Sequence, residues 1–76
     1  MLILYVKIHC PYCEKVLTRA RELGVELETR NIADERYLDE LMRVGGKRQV
    51  PFLVDEEHSH SMYESDDIVK YLENRT

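Results

Sequence analysis

The chain is short of what it would need to cross a bilayer, to grip nucleic acid or to be stapled by disulfides. No apolar run approaches the 18 or so residues of a membrane span. The N-terminal run Met1 to Val6 leads into Lys7 and a cysteine motif, not a small-residue cleavage site. A soluble, untargeted, cytoplasmic protein is therefore expected. Positive charge is also scarce: 11 Lys and Arg stand against 15 Asp and Glu, a formal charge of −4. Phosphate backbones and anionic lipid surfaces call for clustered cations, so nucleic acid and membrane are not expected partners, which leaves small molecules and proteins. With three glycines, two prolines, 43% apolar and 34% charged residues, fibrous and disordered classes are excluded. At 76 residues there is material for one core, so residues 1–76 are expected to form one domain with a margin of about 3 to 5 kcal/mol. Only two cysteines are present, Cys10 and Cys13, and a bridge between them would close almost no loop and restrain the unfolded chain very little. In a reducing compartment that spacing points to thiol chemistry or metal binding.

What is present reads as α/β. Residues 2–8, Leu-Ile-Leu-Tyr-Val-Lys-Ile, form a near-continuous apolar run that suits a strand buried on both faces in mid-sheet. From Cys13, the apolar residues Val16, Leu17, Ala20 and Leu23 recur at helical spacing, and Gly24 is placed to end the helix. Pro11 fits the first helical turn, which puts Cys10 at or just before the N-terminus. Residues 25–30 alternate as an edge-side strand, with Ile32 continuing the packing. Asp34 can cap a second helix with Tyr37, Leu38, Leu41 and Met42 as its apolar stripe, closed by Gly45 and Gly46. The first two strands are then parallel with a right-handed crossover. After Pro51, residues 52–54 read as a strand, 55–59 as a polar turn and 61–63 as the returning strand. Ser65 can cap a last helix whose Ile68, Val69 and Leu72 face inward. The order β-α-β-α-β-β-α predicts a four-stranded mixed sheet flanked by three helices.

Cys10-Pro11-Tyr12-Cys13 carries the chemistry. A cysteine at a helix N-terminus has its thiolate stabilised by unpaired N–H groups and the positive dipole end, which takes the pKa from about 8.5 into a range of roughly 3.5 to 7.5. Lys7 adds positive field. Cys13, one turn on and inside the apolar stripe, should be buried and less reactive. The pair thus divides into an exposed nucleophile and a resolving thiol. Zinc is the competing use of C-x-x-C, but the remaining candidates are His9, His58 and His60, and His58-Ser59-His60 has a single intervening residue where zinc pairs have 3 to 5. No metal is expected, and the histidines are read as solvated hairpin residues.

A first strand feeding Cys10-Pro11-Tyr12-Cys13, with Lys7 three residues upstream and Arg48-Gln49-Val50-Pro51 farther on, resembles the glutaredoxins of the thioredoxin superfamily. The resemblance covers essentially the whole chain. It implies a thioredoxin-like fold and a Pro51 that is cis and faces the active-site cysteine. The stretch from Tyr63 to Ile68 departs from the common Gly-Gly pattern of that family. Glu64-Ser65, followed by Asp66, Asp67, Ile68 and Val69, looks like the glutathione-binding segment of glutathione-transferase N-terminal domains and of the glutaredoxins built like them. A single-domain relative of that branch is expected, without the helical domain that transferases carry.

That resemblance implies glutathione as cosubstrate and disulfide-bearing or glutathionylated proteins as partners, with a monomeric working form. Cys10 and Cys13 would be catalytic. Lys7 and Arg48 would hold the glycine carboxylate, the Val50 backbone ahead of Pro51 would pair with the cysteinyl part, and Gln49 lies in the same segment. Glu64, Ser65 and Asp66 would take the γ-glutamyl end, where helix N–H groups suit a carboxylate and an acid suits an ammonium. Tyr12 would form a side wall. Replacement of the usual Gly-Gly by Tyr63-Glu64 can either crowd that end or add a contact. The expected activity is glutathione-dependent reduction of protein disulfides and protein–glutathione mixed disulfides. The alternatives are a glutaredoxin-like thioredoxin reduced by thioredoxin reductase, donating electrons to ribonucleotide reductase, and a module that binds an iron–sulfur cluster.

Overall fold

Alternation along the first strand organises the core. The computed structural model describes residues 1–75, in the order β1 (Leu2–Val6), α1 (Pro11–Leu23), β2 (Glu28–Asn31), α2 (Glu35–Val44), β3 (Phe52–Asp55), β4 (His60–Met62) and α3 (Ser65–Arg75). The sheet order is β2-β1-β3-β4. β1 runs parallel to β2 and antiparallel to β3, and β4 is antiparallel to β3. This is the four-stranded mixed sheet with three helices expected of a thioredoxin-like fold.

Successive side chains of a strand point to opposite faces, and β1 uses both. Leu2 and Leu4 pack with Val16 and Ala20 of α1, Leu53 of β3, and Ile68 and Leu72 of α3. Ile3 and Tyr5 pack on the other face with Ile32, Leu41 of α2 and Phe52. Two helices thus cover one face and one helix the other. α1 opens on Cys10 as N-cap and closes on Gly24 at φ +71°, the left-handed conformation that glycine adopts freely. α2 is capped by Asp34, whose side chain accepts the Arg36 N–H at 3.0 Å.

Several boundaries differ from expectation. β1 ends at Val6, and after Lys7 the chain turns at Ile8 and His9, where His9 sits at φ +59°. Ile8, read as part of the strand, is exposed. β2 starts at Glu28 because the α1 terminus is still closing just upstream: the Val25 N–H donates to the Ala20 carbonyl at 2.9 Å. Val25 and Leu27 still pack against the core from this non-strand segment. Met42 is exposed, so the buried stripe of α2 narrows to Leu41, with Tyr37 and Leu38 packed alongside. Asp55, expected in a polar turn, is instead the last residue of β3, opposite His60 and 1% exposed. Ser65 is not a cap. It lies within the first turn of α3 and is buried, and the Glu64 carbonyl closes that turn by accepting the Ile68 N–H at 3.0 Å. The Val50–Pro51 peptide is cis. Among the described residues, no helix is long and apolar enough to cross a membrane.

Candidate functional site

The C-terminal end of β1 delivers the chain to the start of α1, and the site is built at that junction. Cys10 has extended backbone angles (φ −106°, ψ 105°), as an N-cap requires, and Pro11 occupies the adjacent position without a lost hydrogen bond. The Cys10 Sγ accepts the backbone N–H of Cys13 at 3.3 Å. It does the work of a capping oxygen, at the end of a helix whose dipole favours negative charge. The Cys10 carbonyl accepts the Glu14 N–H at 3.0 Å, so backbone and side chain are both anchored to the first turn.

Cys13 sits behind it, buried at 1% exposure. Its thiol is pushed up to about 12, chiefly by burial and then by its hydrogen bond with Cys10, against a smaller opposing effect of the Lys7 backbone. The two sulfurs are thus inequivalent: one is held at a helix terminus facing a cleft, and the other is kept protonated beneath it.

That cleft has a volume of about 490 Å³ and is lined by Lys7, Cys10, Tyr12, Arg48, Gln49 and Val50, together with His9, Pro11 and Ile32. Six of the residues picked out from the sequence therefore meet around one opening. Cys10 itself is 5% exposed, not the exposed nucleophile that was expected. The turn carrying His9 and the loop carrying Val50 line the same cleft, and only the tertiary fold brings that loop there across forty residues of sequence. Tyr12 projects outward at 65% exposure, and Pro51 is buried and is not among the lining residues. No carboxylate lines the cleft, and neither Lys7 nor Arg48 enters an ion pair among the described residues.

Glu64, Ser65 and Asp66 stand apart from the lining. Glu64 holds a left-handed backbone (φ +72°) and reaches the wall through Gln49, whose Nε2 donates to Oε1 at 3.3 Å. Asp66, expected to face an ammonium, is paired with Lys15 of α1, and that lysine holds its carboxyl below the ordinary range. Tyr63 was read as the end of the returning strand and as a departure from Gly-Gly; it lies just past β4. It proves to touch the wall loop directly, its hydroxyl donating to the Lys47 carbonyl at 2.8 Å and accepting the Lys47 N–H at 3.1 Å. Ile32 at the cleft floor was read only as core. The hairpin histidines are engaged, not simply solvated: Nδ1 of His58 lies 2.8 Å from Asp55, and His60 stacks on Tyr71. Among the described residues, no group of three or more His, Cys, Asp or Glu side chains is arranged to hold a metal ion.

Residues 4–76 match the family model described as the glutathione S-transferase N-terminal domain. No curated protein matches the sequence. Among solved structures, glutathione transferase Omega 3C from Trametes versicolor superposes with a TM-score of 0.85 at 22% identity, covering 97% of this chain and 33% of that one. Yeast Ure2p in complex with glutathione gives 0.80 at 27% identity, over 97% of this chain and 32% of its own. The trimeric glutathione transferase TDR1 of Leishmania gives 0.78 at 31% identity, over 96% of this chain and 16% of its own. The chain thus spans a third or less of these proteins.

Proposed function

Because this chain belongs to the family of glutathione S-transferase N-terminal domains, we propose that it binds glutathione and acts as a glutaredoxin-type thiol–disulfide oxidoreductase, with Cys10 as nucleophile and Cys13 as resolving thiol. One observation carries the reading: the Cys10 Sγ caps α1 through the Cys13 N–H and lines a cleft together with Lys7 and Arg48, two cations without an ion pair among the described residues. Of the two thiols it is Cys10 that lines the cleft, where a disulfide would approach.

In the monothiol route, the Cys10 thiolate attacks the glutathionyl sulfur of a protein–glutathione mixed disulfide. A Cys10–glutathione bond forms and the protein thiolate leaves. A second glutathione thiolate attacks the glutathionyl sulfur and releases Cys10, so oxidised glutathione carries away the two electrons' worth of oxidation. In the dithiol route, Cys10 attacks a protein disulfide, and Cys13 then attacks the Cys10 sulfur, leaving a Cys10–Cys13 disulfide and a reduced protein. That second step requires Cys13 to lose a proton that its burial holds on tightly, and the departing protein thiolate is a suitable acceptor.

Lys7 and Arg48 suit the carboxylates of glutathione, and the Val50 backbone suits its cysteinyl part. The γ-glutamyl carboxylate suits the α3 N-terminus near Ser65, with Glu64 the nearer acid for its ammonium, since Asp66 is occupied by Lys15.

The test is turnover of a glutathionylated disulfide coupled to glutathione reductase. Cys10→Ser should be inert, and Cys13→Ser should keep deglutathionylation while losing protein-disulfide reduction. An inert wild type that is nevertheless reduced by thioredoxin reductase would replace this reading with the thioredoxin-like one. Equal loss in both variants would end the division of labour between the thiols.

A further inference from the structure

The wall of the cleft opposite Cys10 is a loop, residues 45–51, with no regular hydrogen-bond ladder of its own, yet three of its residues would face the ligand. We infer that Tyr63 is the positioning residue for this wall, strapping it in place and so setting the affinity for glutathione; the inference rests on the reading of the site given above.

The strap is visible atom by atom. The Tyr63 hydroxyl both donates to the Lys47 carbonyl (2.8 Å) and accepts from the Lys47 N–H (3.1 Å). The same Lys47 carbonyl accepts the Gln49 N–H at 2.9 Å. One hydroxyl thus fixes the peptide unit on which the backbone of Gln49 hangs, two residues before cis-Pro51. The Lys47 ammonium lies over the Tyr63 ring, 5.8 Å from its centroid. The ring has little freedom, because it packs on buried Phe52 with centroids 4.4 Å apart. A second link runs from the neighbouring Glu64 to the Gln49 side chain, at 3.3 Å. Gly45 completes the arrangement from the other side: a Cβ there would stand 2.2 Å from the Tyr63 hydroxyl oxygen and 3.0 Å from the Phe52 ring. Absence of a side chain at 45 leaves the space that the hydroxyl occupies.

Two changes disturb the strap from opposite sides. Tyr63→Phe removes the hydroxyl and keeps the ring on Phe52, whereas Gly45→Ala keeps the hydroxyl and pushes it off Lys47. Both should accelerate hydrogen exchange at the Gln49 amide, leave exchange in β1 unchanged, and raise the KM for glutathione about three- to tenfold, as loss of one or two hydrogen bonds implies. The kcat should stay close to wild type, and so should the rate at which Cys10 is alkylated. A merely structural role would move the melting temperature without splitting KM from kcat. Unchanged Gln49 exchange in Tyr63→Phe, or an unchanged KM in an active enzyme, overturns the inference. A wild type with no glutathione turnover would sink the functional reading alone, and the exchange rates would then decide the strap by themselves.

Discussion

At one end of the central strands the Asp55 carboxylate is 1% exposed and closed in by its own protein, whereas at the other Lys7 and Arg48 line an open cleft that, among the described residues, no carboxylate lines. Asp55 Oδ2 accepts from the Tyr71 hydroxyl at 2.5 Å and from Arg75 at 2.8 Å, with His58 Nδ1 also at 2.8 Å. Its Oδ1 accepts the Glu57 N–H at 3.2 Å. These contacts, the Tyr71 bond foremost, hold its carboxyl down at about 2. Both ends place charge at the termini of β1 and β3, but only one satisfies it internally. A buried charge without partners is expensive, so the Asp55 end ties the hairpin to α3. Cationic charge without an ion pair among the described residues, beside Cys10, is what the proposed glutathione site would use.

If that contrast holds, damage at the two ends should separate into stability and binding. Asp55→Ala removes the anion and strands its donors, which should cost about 3 kcal/mol, comparable with the whole margin of so small a domain; urea unfolding would measure it. Asp55→Asn keeps the shape and sharpens the point through pH. The folded-state pKa lies below that of the unfolded chain, so the unfolded state takes up the proton first as pH falls, and the stabilisation present above about pH 4 is lost on descent toward pH 2. Acid unfolding of the wild type should show this slope, and Asp55→Asn should flatten it. A variant with the wild-type slope would break the comparison from that side.

At the other end, the double substitution Lys7→Gln and Arg48→Gln should raise the KM for glutathione about tenfold with little change in melting temperature. Added salt should weaken the wild type's binding more than the variant's. Loss of stability equal to that in Asp55→Asn would mean the cleft cations are structural after all. The smallest effect is expected between the ends, where Lys15 pairs with Asp66, and Arg19 with Glu22 and Glu73, on the outer face of α1 and α3. These groups are largely in water and such pairs contribute little. Lys15→Ala should leave both the melting temperature and the KM near wild type; a raised KM would show that Asp66, once released from its lysine, reaches the ligand.

Legibility followed the range of the interactions involved. The Cys10-Pro11 start and Gly24 stop of α1 were readable because capping is local, and so was the Asp34 cap of α2. Asp55 was not, since a lone Asp ahead of polar residues looks like a turn until Tyr71 and Arg75 of α3 are brought to it. Ser65 looked like a cap because it has the right side chain, but the Glu64 carbonyl took that place and Ser65 was drawn inward. Asp66 looked available because Lys15 lies fifty-one residues away in sequence. Tyr63 could be seen as unusual, though not as a strap, because its partner Lys47 is sixteen residues away.

The sequence by itself determined the element order, the central β1 and the unequal pair of thiols, since period, caps and Pro11 act within a turn or two of chain. The tertiary structure alone decided which charges are consumed and which are left open. Lys7, Lys15, Arg48 and Arg75 are chemically alike along the chain; only folding puts carboxylates against Lys15 and Arg75 and leaves Lys7 and Arg48 beside Cys10. Electrostatic pairing depends on distance in space, and no local rule encodes that distance.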